Sequence, residues 1–553
     1  MRPWHLILLG AAIAAPASPQ QSPPDIILSN GKTITVDERF TIAEAIAVRG
    51  ERIVAVGGNQ EIVRLAGPAT RRIDLQGRAV IPGLIDNHMH LLRAGVTWRR
   101  EVRWDGVDSR KRALDALRAR AEAASPGEWV FNLGGWTRDQ FADDQAPFTR
   151  EELDRVAPHS PVLLQAAYYE TFLNSRAVQA LNLEGRTEPW IVRDAAGRPT
   201  GAIEEAGVGA VASELPVFEP TADEVESSTA EMFRDLNRSG LTSIGSAGCE
   251  PKLLETYRAW AEDGRLPVRV FCIDSYRAGT PQEANDALAR IAEMKLFQGN
   301  HRVDSIAYGE GVYGPLHDPM FLLDSDPTPE HLAQWRRIVT EVARAGMPLH
   351  VHANLDDTIG AFLDQIERIH ETYPIRNLRW TLAHFNQPKP SHLERMKNLG
   401  MYAAVHPWAV VNGGIQHRVY GDGANDMPPL RMIQDSGIVW GLGSDGSRAN
   451  QILPFTTLGY AVTGKMVGGA EVLRQTIGRE DALIAHTRKN AYFVFQESNL
   501  GAIQPGKLAD LVVLDRDYLT VPADEIQDIT AVLTMVGGRI VYDEGIASSP
   551  KSR

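Results

Sequence analysis

A chain of 553 residues, 43% hydrophobic and 23% charged, has the balance of a soluble globular protein and enough length for a large buried core. A formal charge of -13, with no stripe of clustered lysine and arginine, excludes a phosphate-tracking surface, so no nucleic-acid partner is expected. The two cysteines, Cys249 and Cys272, are too few for a disulfide framework; each lies near the end of an apolar run, where a buried free thiol is the expected state and a single bridge the alternative.

The N-terminal stretch carries a basic Arg2, an apolar run over 6–14 and Ala15-Pro16-Ala17. That order resembles a secretory signal over residues 1–17 and implies an exported, periplasmic or secreted protein. The run is too short to cross a bilayer and no later one is long enough, so no membrane span is expected. From 25 to 78, short alternating runs such as Ile26-Ile27-Leu28 and Ile53-Val54-Ala55-Val56 are separated by turn glycines and read as antiparallel strands. The stretch 500–545 repeats the style with Leu511-Val512-Val513-Leu514 and Val532-Leu533-Thr534-Met535-Val536. Both ends together predict one small β-sandwich, into which a body spanning 79–499 is inserted.

Within that body short apolar runs alternate with helical stretches, the pattern of βα units. Eight strands are predicted, over 79–90, 241–247, 268–276, 304–313, 348–354, 378–385, 401–407 and 438–445. Eight parallel strands with intervening helices predict a (β/α)8 TIM-like barrel whose site lies at the C-terminal strand ends. The long gap after the first strand holds two further apolar runs, 129–134 and 161–167, which predict an inserted α/β lobe over about 100–235 beside the barrel mouth.

The strand ends carry the polar residues. The first strand closes on His88-Met89-His90, whose two imidazoles share a face because strand side chains alternate. The fifth ends His350-Val351-His352, the sixth Ala383-His384 and the eighth Gly443-Ser444-Asp445. Any one histidine there reads most simply as core or surface; several histidines and an aspartate at one barrel rim read as a divalent metal site, with zinc expected. His352 lies nearer the strand end than His350, which is expected to be buried support. Asp445 is a candidate metal ligand and general base, and equally a helix N-cap after a Gly-Ser turn. A metal acidifies its bound water, so the expected chemistry is attack by a metal-activated hydroxide with Asp445 taking the proton. His406 or Tyr313 is a candidate oxyanion donor at the rim. Trp136, Tyr168, Tyr169 and Trp408 are either pocket aromatics, pointing to an aryl or acyl-aromatic substrate, or plain packing.

The run Pro82-Gly83-Leu84-Ile85-Asp86-Asn87-His88-Met89-His90 is joined by Leu133-Gly134-Gly135-Trp136, Asn174-Ser175, Thr200-Gly201-Ala202-Ile203-Glu204-Glu205, His352-Ala353-Asn354, Ala383-His384, Gly443-Ser444-Asp445, Thr487-Arg488-Lys489-Asn490-Ala491 and Pro505-Gly506-Lys507-Leu508-Ala509-Asp510. In combination the chain resembles the amidohydrolase superfamily, in the family 3 branch of N-substituted formamide deformylase-like enzymes. The resemblance covers almost everything after the signal. It implies a barrel, a β-sandwich and hydrolysis of a non-peptide C–N bond, an amide or N-substituted formamide, with one or two divalent ions. By it His88, His90, His352 and His384 look like metal ligands, with Asp445 as ligand and base.

Three departures stand out. The lysine that the family often carries on the fourth strand is missing from Asp304-Ser305-Ile306-Ala307-Tyr308-Gly309-Glu310; Glu310 is the favoured bridging carboxylate, with Lys295 and Glu205 as rivals. A histidine usual before Asn-Ser is here Tyr169, and a Gln-Pro usual on the seventh strand is His406-Pro407, so substrate contacts at Trp136, Tyr169, Tyr313 and His406 leave the exact substrate open. The alternatives are lactone, carbamate or phosphoester hydrolysis at the same site, or a secreted binding protein with a degenerate site. Ser-His-Asp catalysis is disfavoured because no Gly-x-Ser-x-Gly elbow follows a strand. The partner is a small amide-like molecule, and a homodimer is one possible assembly.

Overall fold

The computed structural model describes residues 22–547 apart from 217–219, 250, 322, 324 and 326, so the signal reading over 1–17 lies outside the described residues. Its centre is a sheet of eight strands in sequential order, all parallel: β1 (Leu84–Met89), β2 (Leu241–Ala247), β3 (Arg269–Asp274), β4 (Val303–Glu310), β5 (Leu349–Ala353), β6 (Thr381–His384), β7 (Tyr402–Val405) and β8 (Val439–Leu442). β1 and β8 meet through Asp445 N donating to His88 O at 2.9 Å and His90 N donating to Gly446 O at 2.7 Å. This is a (β/α)8 barrel. Most of its strand residues are buried, because helices cover the outer face while side chains fill the interior.

The predicted strand 79–90 divides at Gly83. Ala79–Pro82 pairs with Leu511–Leu514 and Lys32–Ile34 in a different sheet, and only the segment after Gly83 enters the barrel. The break has a packing reason: a Cβ on Gly83 would lie 2.2 Å from the Thr242 hydroxyl oxygen, so β2 packs directly on the backbone there.

Strands from both chain ends interleave. A six-stranded sheet runs in the order Arg539–Asp543, Ala531–Val536, Leu511–Leu514, Ala79–Pro82, Lys32–Ile34, Ile42–Ala43. A four-stranded sheet runs Arg52–Gly57, Ala45–Arg49, Ile26–Ser29, Arg71–Asp74. One apolar core, including Leu28, Ile46, Ile73, Val80, Leu511 and Leu533, joins the two. The buried Arg269 of β3 ties the barrel to this layer, donating from Nε and Nη2 to both carboxylate oxygens of Asp510 at 2.8 Å.

Between β1 and β2 lies a five-stranded sheet in the order Ile191–Arg193, Pro199–Glu204, Glu170–Leu173, Val162–Ala166, Val130–Leu133. Its apolar strands, Val130–Leu133 and Val162–Ala166, are the two that stand out in the sequence. The cysteines also differ from the expected free thiols: Cys249, just beyond β2, is bonded to Cys272 of β3. Cys272 is register-paired with Ser246, three residues before Cys249, and that puts the two Cα atoms 5.8 Å apart. Among the described residues no helix is long and apolar enough to cross a membrane.

Candidate metal centre

The C-terminal ends of the barrel strands converge on a cavity of about 660 Å³. His90 lines it from just after β1, Glu310 from the end of β4, His352 from β5, His384 from β6, and Asp445 from the residues after β8, with His88 of β1 buried directly behind them against Glu310 and Asp445. His384 and Asp445 hold left-handed backbone conformations, with φ of 68° and 57°. Such conformations cost free energy in a non-glycine residue and persist where the surroundings enforce them.

The distances are short throughout. His88 Nε2 lies 3.7 Å from Glu310 Oε1 and 3.6 Å from Asp445 Oδ1. His90 Nε2 lies 3.6 Å from the same Glu310 oxygen and 3.3 Å from Asp445 Oδ1. His384 Nε2 is 3.9 Å from Glu310 Oε1, and its Nδ1 is 3.6 Å from Asp445 Oδ2. Two groups of potential ligand atoms therefore lie within 4.8 Å of one another, His88/Glu310/His384 and His88/His90/Asp445. Ligand atoms about 2.0–2.1 Å from one tetrahedral zinc ion are themselves about 3.3–3.5 Å apart. The observed spacings sit at or just above that value.

Four atoms at this centre, His88 Nε2, His352 Nδ1, His384 Nε2 and Asp445 Oδ1, are buried and bonded to nothing in the protein. Buried polar atoms are normally paired, and orphans of this kind in one place are what a cation would satisfy. The donor set of imidazoles and carboxylates suits zinc or a similar divalent ion.

The opposite edges of these rings are committed. His88 Nδ1 and His350 Nε2 share a hydrogen bond of 2.9 Å, as do His384 Nδ1 and His406 Nδ1. His352 Nε2 lies 2.7 Å from both the carbonyl oxygen and Oδ1 of Asp318. Partners on the far nitrogen fix ring orientation and tautomer. Burial favours the neutral form of His350, His384 and His406 and holds their pKa values well below that of free histidine. Burial opposes charge on His88 too, but Glu310 and Asp445 outweigh it and raise its pKa. Burial likewise pushes Glu310 up, and His90 with His88 overrides it, holding that carboxyl well below its usual range. Asp86 goes the other way: burial raises it to about 6 despite hydrogen bonds from Ser444.

A model of the amidohydrolase family matches residues 71–542. The chain belongs to the amidohydrolase family. It is 26% identical to an N-substituted formamide deformylase from Arthrobacter pascens over 94% of this chain and 98% of that one. Among solved structures, a metal-dependent hydrolase from Pyrococcus horikoshii OT3 superposes with a TM-score of 0.64 at 21% identity, covering 90% of this chain and 99% of that chain. The atrazine chlorohydrolase from Arthrobacter aurescens TC1, complexed with zinc, superposes with a TM-score of 0.53 at 16% identity, over 94% and 95% of the two chains.

In this amidohydrolase the sequence-selected ligands fall into two sets. His88, His90, Glu310, His384 and Asp445 make up the two tight groups. His352 stands beside them, its ring centroid 4.3 Å from that of His384 and its free Nδ1 buried. Of the rival carboxylate sources, Glu205 lines the cavity but belongs to neither group; Lys295 neither lines it nor joins them.

The four residues expected to touch substrate lie outside the cavity lining. Trp136 is fully buried in the lobe among Trp104, Phe141 and Phe148, because a large ring there fills an aromatic core. Tyr169 packs edge-on against Phe321, and Tyr313 leaves β4 to bridge Ala278 within the barrel core. His406 has both ring nitrogens engaged within the protein, by His384 and by Asn87 Oδ1 at 2.9 Å, which places it to orient a candidate ligand. Tyr168 and Trp408 do line the cavity, and Trp408 Nε1 donates to Asp445 Oδ2 at 2.8 Å.

Sequence reasoning missed His317, Asp318 and Arg93. The His317 ring lies tilted against that of His352 with centroids 3.9 Å apart, and Asp318 holds His352 in place. The only local signal is a His-Asp-Pro run in the loop after β4, whose partner lies on another strand.

Proposed function

We propose that this amidohydrolase hydrolyses a non-peptide C–N bond, in an amide or N-substituted formamide, with one or two zinc ions held by His88, His90, Glu310, His352, His384 and Asp445. The observation that carries the reading is the convergence of four buried, unbonded ligand atoms, on His88, His352, His384 and Asp445, the last three of which line one cavity. When bound, such ions supply Lewis acidity to water and to a carbonyl. Asp445 is placed to act as both ligand and general base: Trp408 fixes Oδ2, so Oδ1, which has no hydrogen-bond partner in the protein and faces His88 and His90, would serve both roles, taking a proton from water and returning it to the leaving nitrogen. His350, His406 and Asp318 hold the candidate ligand rings in register. Similarity to the formamide deformylase supports the bond class. The Cys249–Cys272 disulfide supports an exported protein, since such bonds persist in oxidising compartments.

The test is a substrate panel on chelated and zinc-reloaded protein. Zinc is expected to restore amine release from N-substituted formamides or simple amides, and Asp445→Asn to reduce it by about 100-fold or more. Preferred cleavage of lactones or phosphoesters overturns the C–N assignment. A zinc-loaded protein that cleaves nothing on the panel overturns the hydrolase reading.

A further inference from the structure

The floor of the cavity is built from imidazoles and carboxylates, but its wall carries a cation that the hydrolytic machinery does not use. Arg93 stands in the first turn of the helix Leu91–Thr97, whose N-cap is His90. Both His90 and Arg93 line the cavity. Arg93 Nη2 donates to the Tyr168 hydroxyl at 3.2 Å, and its Nε is buried and bonded to nothing. Among the described residues no carboxylate lies within 4.0 Å of its guanidinium.

Several other buried or half-buried arginines among the described residues are paired with carboxylates: Arg103 with Asp105, Arg110 with Glu152, Arg269 with Asp510 and Arg379 with Glu497. A guanidinium withdrawn from water normally needs such a partner. Glu310 and Asp445 act on Arg93 from further away, but both are turned to the histidines, and cations held there would draw on the same negative charge. The Tyr168 oxygen accepts from Arg93 and so keeps its own proton to donate. Arg277, exposed and without a carboxylate partner among the described residues, lines the same cavity from beyond β3.

We propose that Arg93, with Tyr168 and Arg277, forms an anion subsite, and that the substrate is an amide carrying a carboxylate close to the scissile bond, of the N-acyl amino acid type. The substrate class rests on the C–N hydrolase reading and narrows it; the subsite itself is separable from it. The carboxylate would take charge-assisted hydrogen bonds from the guanidinium and the phenol, which fix the amide over the centre.

The test uses a matched pair, racemic N-formylphenylalanine and N-formylphenethylamine, which differ only in the carboxylate. Calorimetric titration of metal-free protein is expected to show the carboxylate ligand binding about 10- to 100-fold more tightly. Arg93→Gln brings that ratio to about one, while Arg93→Lys and Tyr168→Phe keep part of it. On the zinc-loaded enzyme the same ratio is expected in kcat/KM. Equal affinity for the pair, no binding of the carboxylate ligand, or a ratio insensitive to Arg93→Gln overturns the subsite. Zinc-dependent cleavage of the neutral amide alone also overturns it and leaves the hydrolase reading standing. A carboxylate preference in binding, with no amide cleaved, supports the subsite and removes that reading.

Discussion

Exchanging Asp318 for asparagine asks whether His352 is a metal ligand. The Asp318 side chain is fully buried. Oδ2 accepts from Leu355 N at 2.7 Å and Asn354 N at 3.1 Å, at the start of the helix Asp356–Thr372, and Oδ1 faces His352 Nε2 at 2.7 Å. An asparagine has one acceptor oxygen for these donors. Kept toward the two backbone N–H groups, it turns its NH2 toward His352 Nε2. That favours an unprotonated Nε2 and moves the ring proton to Nδ1, the buried free atom at the centre. A hydrogen bond to a charged group is worth about 1.5–3 kcal/mol. The Asp318 carbonyl, also 2.7 Å from Nε2, survives the exchange and keeps part of the original tautomer preference. The expected loss is therefore near the lower end of the usual range for such supporting residues, about tenfold in zinc affinity, or about 1.4 kcal/mol. Competition with a chromophoric chelator measures it, with melting of the metal-free protein beside it. Zinc affinity within a factor of about two of the parent, alongside a lowered melting temperature, would reduce Asp318 to a helix cap and remove His352 from the ligand set.

Glu310→Gln is expected to lower zinc content, read by plasma mass spectrometry, from about two ions per chain to about one; two retained ions would put Glu310 outside the coordination shell. Arg269→Met leaves the Asp510 carboxylate buried without its bidentate partner, and urea unfolding should show a loss of about 3–5 kcal/mol, a loss below about 1 kcal/mol contradicting the buried pair. In Gly443→Ala the new Cβ would fall 2.4 Å from Asn87 Oδ1 and 2.7 Å from Asp86 Oδ1, so about 1–3 kcal/mol of stability and at least about tenfold in amide hydrolysis should be lost. Parent-like activity in that variant would show that Asp445 is positioned independently of this contact.

The barrel was legible because its strands are buried on both faces and so read as apolar runs ending in polar residues. The run 241–247 coincides with β2, and the histidines and Asp445 at other run ends stand where the strands open into the cavity. Periodicity gave no boundary at Gly83, since an apolar run looks the same whether it serves one sheet or two. The lobe strands Glu170–Leu173, Ile191–Arg193 and Pro199–Glu204 are short, and two carry only three or four residues, too few for an alternation to emerge. Aromatic identity says that a ring will be buried, not whether beside a cavity; Trp136 and Trp408 illustrate both outcomes. Pairings across strands, such as Asp318 with His352 or Cys249 with Cys272, depend on register that no local pattern encodes.

One hydrogen-bond system joins barrel closure to the arrangement of the centre. Asp86 accepts from the backbone N–H groups of His88 and Ser444 and from the Ser444 hydroxyl, stitching β1 to the residues beyond β8. One position on, Asn87 bonds Asn490 through Nδ2 and His406 through Oδ1, and His406 in turn holds His384. Asn490 Nδ2 donates to carbonyls of Ile85 and Leu442, bridging the same two strands from outside. The residues that close the barrel thus also fix His88, His384 and the left-handed Asp445, whose N–H binds His88 O. Strain at His384 and Asp445 is affordable only while that junction is intact. A substitution in it, such as Asn87→Ala, should therefore lower stability and displace the centre together, whereas a substitution confined to the cavity wall, such as one at Arg93, should alter ligand selection while leaving the junction closed.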